Sequence, residues 1–182
     1  MTSEARPGES REPVKSGLKL SLAVQFAAHD CGVPPRAKIR RWIKAALARD
    51  AAITVRFVDE AEALQLNRDF RGRDYATNVL SFLLNAGPPM TGDIALCLSL
   101  AVKEARDLDI NAEARIAHLL VHAVLHLQGH DHEREDDARA METLESKIMT
   151  SLRFADPYSG KADRRSKLDL QSAVLSSQPS LL

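Results

Sequence analysis

Three histidines in one short stretch of the chain have the type and spacing of a metal site, in the segment His122-Ala-Val-Leu-His126-Leu-Gln-Gly129-His-Asp-His132. Residues four apart lie on one face of an α-helix, about 6 Å from each other, so His122 and His126 can bind one ion. Gly129 can adopt the left-handed conformation that ends a helix, and the chain then brings His132 back to the same point. Three imidazoles suit Zn²⁺ and leave one coordination position open, where a water molecule can ionise near neutral pH. The spacing therefore predicts one catalytic zinc ion per chain.

The zinc peptidases called metzincins use the same histidine and glycine offsets, in the pattern H-E-x-x-H-x-x-G-x-x-H. Their general base is the glutamate after the first histidine, and this chain has Ala123 at that position. A zinc hydrolase acting on a peptide or amide is therefore an alternative that the missing base disfavours. Imidazole ligands also accept Ni²⁺ and Cu²⁺, so the choice of zinc depends on metal availability as well as on chemistry.

The length and composition predict one domain with two tails. The chain has 182 residues, of which 45% are hydrophobic, enough to form a core. Polar and aperiodic sequence predicts flexible tails at residues 1–16 and 155–182, with a single domain at 17–154. The chain has no apolar run of about 18 residues and no signal-peptide pattern at its start, which favours a cytoplasmic protein without a membrane partner.

The formal net charge is zero, but the charges are distributed unevenly along the chain. Residues 36–49 include six basic residues and no acidic one, and Arg68, Arg71 and Arg73 form a second basic group. An acidic run follows at residues 131–145. A basic face beside the metal would bind phosphate, whereas the simpler interpretation is a solvated helix face.

Hydrophobic periodicity predicts four strands, at residues 18–27, 52–58, 79–84 and 92–97. The predicted helices cover residues 36–49, 59–71, 99–107, 111–128 and 134–151, with Asp59, Ser99 and Asn111 as N-caps. This order predicts an α+β fold: a small mixed four-stranded sheet packed with about five or six helices. The zinc site would lie on a helix of the C-terminal half and the turn after it.

Three segments carry a resemblance to a known family: Asn-Arg-Asp-Phe-Arg-Gly-Arg-Asp-Tyr-Ala-Thr-Asn-Val-Leu-Ser-Phe at residues 67–82, Gly92-Asp93-Ile, and residues 118–132. Over residues 18–152 the chain resembles the YbeY-type single-strand-specific metallo-endoribonucleases, a family of rRNA maturation factors. The third segment is the most specific, because the family writes it as H-G-x-L-H-L-x-G-Y-D-H. This chain departs from the family at Ala123 and His130, which replace Gly and Tyr, and at Leu83, where Pro is frequent.

The resemblance implies that His122, His126 and His132 bind zinc and that Arg71 is the basic residue needed for RNA cleavage. It implies single-stranded RNA as the substrate, in 16S rRNA 3′-end maturation and late ribosome quality control. The implied partners are rRNA on the small ribosomal subunit and ribosomal or GTPase proteins. The main alternative is a non-catalytic ribosome-assembly factor whose zinc is structural.

Three further residues are candidates for contact with a metal-binding histidine or with the substrate. A carboxylate often accepts the second N–H of a metal-bound imidazole, and Asp131 and Asp93 could each do so. A purely structural use is the alternative for Asp93. His118 lies one helical turn before His122 and is predicted to act beside the ligands rather than as one of them. Arg71 could hold two phosphate oxygens with its planar guanidinium.

Overall fold

The computed structural model describes residues 17–27, 32–130, 134–159 and 174–176. Asp131 and His132 lie outside the described residues, as do residues 1–16 and most of the predicted C-terminal tail. The elements are β1 (Leu20–Phe26), α1 (Arg36–Ala46), β2 (Ala51–Val58), α2 (Glu60–Arg71), β3 (Val79–Asn85), β4 (Met90–Cys97), α3 (Leu98–Asp107), α4 (Ala112–Leu127), α5 (Glu135–Ser151) and β5 (Val174–Ser176).

The strands form one mixed sheet in the order β1-β2-β4-β3-β5. β1, β2 and β4 run parallel, and β3 is antiparallel to β4. This confirms the predicted α+β fold, with a mixed core sheet of four strands and five helices. The short strand β5 was not expected, because it lies in the predicted tail, where Val174 pairs with Ser81 of β3 in parallel.

The two faces of the sheet carry separate hydrophobic clusters, because side chains alternate along each strand. On β4, Met90 and Ile94 belong to the large cluster, which includes apolar residues of α1 and α4. We call this side the α4 face. Ala95 and Cys97 belong to a small cluster with Ala63 of α2, and we call that side the α2 face. α3 and α5 pack against α4, so most of the helical mass lies on the α4 face.

A glycine lets α4 approach the sheet closely. A Cβ atom on Gly92 would lie 2.8 Å from Cδ2 of Leu127 and 3.0 Å from the carbonyl oxygen of Phe82. Any larger residue would therefore force the Leu127 side chain or the neighbouring β3 backbone to shift. The glycine of the Gly92-Asp93 motif thus serves the close packing of α4 on the sheet.

Two of the predicted helix caps are confirmed and one is wrong. The side chains of Asp59 and Asn111 accept backbone N–H groups at the starts of α2 and α4. Ser99 does not cap α3, because β4 continues into that helix without a loop and the helix begins at Leu98. The Ser99 hydroxyl instead donates to Glu60 Oε1 at 2.9 Å.

The packed structure continues past the predicted domain boundary at residue 154. Residues 155–159 form a turn after α5, held by Asp156 through hydrogen bonds from Ser146 Oγ at 2.7 Å and from the Tyr158 backbone N–H at 2.9 Å. The tail boundaries otherwise remain predictions. No helix in the described ranges is long and apolar enough to cross a membrane.

Candidate metal centre

The two helical histidines of the predicted metal site lie side by side in the interior, where α4 meets α5. His122 and His126 are 2% and 1% exposed. Their Nε2 atoms are 3.0 Å apart, and their rings are nearly perpendicular, with an interplanar angle of 84°. Gly129 has the left-handed φ of 90° that its predicted role requires. His132 follows outside the described residues and stays the predicted third ligand.

The geometry of these two rings fits a shared metal ion. Two nitrogens bound at about 2.0–2.1 Å to one tetrahedral zinc ion are roughly 3.3 Å apart, close to the observed Nε2–Nε2 distance of 3.0 Å. The Nδ1 atom of His122 faces a carboxylate oxygen at 2.6 Å, so a neutral ring carries its hydrogen there. Its Nε2 is then the unprotonated nitrogen that a metal ion needs. His122 and His126 therefore present a suitable donor pair.

The carboxylate beside His122 belongs to Glu145 of α5, which is 0% exposed. Its Oε1 accepts from His122 Nδ1 at 2.6 Å, and its Oε2 lies 3.1 Å from His118 Nε2. The hydroxyl of Tyr158, in the turn after α5, donates to the same Oε2. Three donors therefore surround one carboxylate, as a charge buried in the interior requires.

A chain of hydrogen bonds continues from His118 away from His122 and His126. Arg115 Nη1 lies 3.4 Å from His118 Nδ1, and a guanidinium only donates. His118 Nδ1 therefore accepts, and its Nε2 carries the hydrogen directed at Glu145. Arg115 Nε donates to Glu104 Oε2 at 2.9 Å, and Glu104 Oε1 accepts from Asn78 Nδ2 at 2.7 Å. The loop that follows α2 is thereby connected to the helix that carries His122 and His126.

Burial and hydrogen bonding act in opposite directions on Glu145. Burial raises the pKa of this carboxyl, but hydrogen bonds from His118 and His122 outweigh burial and hold the pKa well below its usual range. Burial and the neighbouring charge of Glu145 raise the pKa of Tyr158 above its usual range. At neutral pH Glu145 is therefore ionised and Tyr158 keeps the hydrogen that it donates.

Arg71 is the last residue of α2, and the loop after it leads to β3. Gly72 ends the helix with a φ of 65°. Residues 72–78 are then held by Asn67, whose Nδ2 donates to the Tyr75 carbonyl oxygen at 2.8 Å. Burial lowers the pKa of Arg71 to about 10, so this half-buried guanidinium is still charged at neutral pH, as a phosphate-binding group must be.

The structure separates Asp93 from the histidines. Asp93 lies on the α2 face, where it lines an open groove together with Thr54 and Arg56. The sheet stands between this carboxylate and His122, so the structure does not bring the two together. The carboxylate beside His122 is that of Glu145, and Asp131 stays a prediction because it lies outside the described residues.

Sequence reasoning missed Glu145 and Tyr158. On α5, Met141, Glu145 and Met149 recur every four residues, and all three are buried. A carboxylate within the apolar stripe of a helix is a signal that could have identified Glu145. The acidic residues around it obscured this signal, and Tyr158 lies in a segment that was interpreted as a flexible tail.

The structure divides the basic residues of α1 into two groups. Lys38 Nζ pairs with Glu113 at 2.6 Å, and Arg36 donates to the Leu22 carbonyl oxygen. The other group is exposed on the side of α1 away from the core and, among the described residues, forms no ion pair. We call this group the α1 basic cluster, and it consists of Arg40, Arg41 and Lys44.

Known proteins match this chain over most of its length. The family model for endoribonuclease YbeY matches residues 31–153. The endoribonuclease YbeY of Cupriavidus necator is 52% identical over 131 residues, which are 71% of this chain and 66% of that protein. That of Methylibium petroleiphilum is 49% identical over 148 residues, 81% of this chain and 99% of its own length.

A solved structure has the same fold. The solution structure of TM1509 from Thermotoga maritima aligns with a TM-score of 0.53 and 22% identity, covering 88% of this chain and 99% of that protein. At this identity the likeness supports the fold alone, whereas the sequence matches extend to the family and its activity. The chain belongs to the endoribonuclease YbeY family and is a nuclease that hydrolyses RNA.

Proposed function

We propose that this chain is a zinc-dependent endoribonuclease that cuts single-stranded RNA. We further propose that it acts in the cytoplasm on rRNA of the small ribosomal subunit, in 16S rRNA 3′-end maturation and late ribosome quality control, together with ribosomal or GTPase proteins. The relatives named endoribonuclease support RNA as the substrate. The zinc requirement, the preference for single strands and the ribosomal setting are the proposed additions.

The observation that carries the zinc proposal is the approach of two buried Nε2 atoms to 3.0 Å, with His122 held from behind by Glu145. We assign the zinc ion to His122, His126 and His132, one ion per chain. Zinc, when bound, supplies a Lewis acid for a phosphate oxygen and lowers the pKa of a water molecule.

The protein's own groups bind and orient the RNA in this proposal. Arg71 holds non-bridging oxygens of the scissile phosphate with its guanidinium and stabilises the charge that develops there. Its pKa of about 10 keeps it cationic at the pH of the reaction. Asn78 fixes the end of the loop after Arg71 through Glu104 at 2.7 Å, which limits the movement of that loop.

We propose that the α1 basic cluster is an additional contact surface for the phosphates of the RNA backbone. Each contact between a protein cation and a phosphate releases condensed counterions. Removing one such cation therefore lowers the slope of log affinity against log salt concentration by about 0.7 for single strands. Replacing all three residues with glutamine is expected to reduce the log–log slope of RNA affinity against salt by about 2. The matched control replaces three exposed cations elsewhere with glutamine, and it is expected to leave the slope unchanged. These residues are Lys103, Arg106 and Lys147.

The test of the proposed function is cleavage of an end-labelled single-stranded RNA by the purified full-length protein, beside a duplex of the same sequence. We expect cleavage of the single strand alone, its loss with chelator, and its recovery when zinc is added back. His126→Ala is expected to reduce cleavage to the uncatalysed background, whereas His29→Ala, outside the motif, should cleave at the wild-type rate.

A second outcome would favour the assembly-factor alternative. Folded, zinc-loaded protein that leaves single-stranded RNA intact, and that unfolds when zinc is removed, would point to a structural metal. Under that alternative Arg71→Ala would preserve the biological effect of the protein in cells. Under the proposed function, the same variant would lose it.

A further inference from the structure

We infer that Glu145 is the positioning residue of the proposed metal site. The carboxylate fixes the ring of His122 so that its Nε2 faces His126, and Tyr158 and His118 fix the carboxylate in turn. This inference rests on the proposed metal-dependent function and deepens it, because it gives a role to a residue outside the three-histidine motif.

Glu145 fixes both the tautomer and the orientation of the His122 ring. An imidazole can carry its hydrogen on either nitrogen, and it can rotate about its bond to Cβ. The contact of 2.6 Å between His122 Nδ1 and Glu145 Oε1 removes both freedoms. With the hydrogen held on Nδ1, the opposite nitrogen is the one that lies 3.0 Å from His126 Nε2. The carboxylate thus selects the ring orientation and the tautomer that suit a metal ion.

Two further donors hold the carboxylate of Glu145. Oε2 is 3.1 Å from His118 Nε2 and also accepts from the Tyr158 hydroxyl. The Tyr158 ring packs edge-on against the His118 ring, with centroids 5.7 Å apart. Donors from α4 and from the turn after α5 therefore lock the side chain of Glu145, so its Oε1 has a fixed position from which to hold His122.

The charged side chain of Glu145 interrupts a buried apolar stripe of α5. The residues one turn before and after Glu145 on α5 are Met141 and Met149, both buried. An apolar side chain would continue this stripe without the cost of burying an ion, and buried ion clusters do not by themselves stabilise a fold. A carboxylate at this position is therefore better explained by its contact with a metal-binding ring.

The test measures zinc affinity by competition with a chromophoric chelator, using the full-length protein. Glu145→Ala is expected to weaken zinc binding by about 10- to 100-fold. Glu145→Gln should lose less, because its amide oxygen can still accept from His122. Glu113→Gln is the matched control, since Glu113 is a partly exposed carboxylate of α4 that pairs with Lys38, and this variant should bind zinc like the wild type.

A second readout needs no metal and no activity. Nitrogen-15 NMR of the histidine rings in zinc-free protein reports which ring nitrogen carries the hydrogen. We expect His122 to carry it on Nδ1 in the wild type and in Glu113→Gln, and to populate the other tautomer in Glu145→Ala. A residue that only stabilised the fold would change the melting temperature without changing this tautomer.

The outcomes separate this inference from the proposed function. Wild-type protein that binds no zinc would remove the metal site and the inference with it. Wild-type protein that binds zinc and cleaves RNA, beside a folded Glu145→Ala variant with unchanged zinc affinity and tautomer, would overturn the inference alone. If Glu145→Ala does not fold, Tyr158→Phe decides: a several-fold loss of zinc affinity in folded protein supports the inference, and wild-type affinity overturns it.

Discussion

The α4 face of the sheet encloses histidines and a carboxylate beneath helices, whereas the α2 face leaves its polar side chains around a groove of about 460 Å³. On the α2 face, Arg56 pairs with Glu62 at 2.7 Å, and their side chains are 42% and 29% exposed. Phe70 and Leu84 on the same side are 52% and 60% exposed. Glu145 on the α4 side is 0% exposed.

The difference between the two faces shows which side of the sheet can hold polar side chains in a fixed geometry. An exposed ion pair such as Arg56–Glu62 is screened by solvent and contributes little to holding its neighbours in place. The buried carboxylate of Glu145 is held by donors from His118, His122 and Tyr158, so its neighbours are fixed as well. A metal site requires rings held in one orientation, which only the α4 face provides in the described part of the chain.

The largest expected effect concerns Arg71, which lies on α2 and which we propose to bind the scissile phosphate. Arg71→Ala should lower kcat/KM for RNA cleavage by roughly 10²- to 10³-fold, because a positioned cation for developing charge is lost. Arg68→Ala is the control, since Arg68 lies on the same helix in an exposed pair with Asp74. It should change kcat/KM less than about threefold. Equal losses in both variants would contradict the role of Arg71.

The next effect tests the close packing of the α4 face. Gly92→Ala should lower the free energy of unfolding by about 1–3 kcal/mol, because its Cβ would overlap the Leu127 side chain. Thr91→Ala, one residue earlier on the other face, should change it by less than about 1 kcal/mol. Urea denaturation of both variants measures these values. A Gly92→Ala protein as stable as the wild type would mean that α4 is not tightly packed here.

A smaller effect is expected in the pH dependence of the zinc-free protein. The pKa of Glu145 is lower in the folded chain than the value of about 4.3 for an unfolded glutamate, so its ionisation stabilises the fold above that pH. This contribution is lost as the pH falls through the folded-state pKa. Urea denaturation between about pH 3 and pH 6 should show a shallower acid dependence for Glu145→Gln than for the wild type. Identical slopes would show that the carboxylate is not preferentially ionised in the folded state.

The smallest effect is expected on the α2 face. Asp93→Asn should leave zinc affinity and RNA cleavage within about twofold of the wild type, because the sheet separates Asp93 from the histidines. Exposed polar groups on the α2 face also interact only weakly with groups on the other face. The competition assay used for the Glu145 variants provides the comparison. A loss as large as that of Glu145→Ala would mean that the two faces are coupled through the sheet.

Much of the site could be predicted because its signals are local in sequence. The spacing of His122 and His126 determines a shared helix face, and the left-handed φ of 90° at Gly129 is a conformation that glycine favours. The caps at Asp59 and Asn111 are also local, since each side chain binds a backbone N–H two or three residues away. Hydrophobic alternation likewise predicted the four core strands.

The parts that sequence did not predict depend on contacts between distant residues. Glu145 meets His122 across 23 positions, and Tyr158 belongs to a turn whose sequence has no periodicity. The position of Asp93 relative to the histidines depends on which residues of β4 face α4. The close approach of Gly92 and Leu127 shows this in the structure. Ser99 was expected as a cap because the absence of a loop between β4 and α3 is not visible in composition.

A crystal structure of the zinc-loaded protein, with anomalous data collected at the zinc edge, would test the proposed metal site directly. We expect one strong anomalous peak per chain, about 2.0–2.1 Å from Nε2 of both His122 and His126, with His132 as the third ligand. Glu145 should remain on Nδ1 of His122. A peak elsewhere, or zinc bound directly by the Glu145 carboxylate, would contradict the assignment of the α4 face as the metal site.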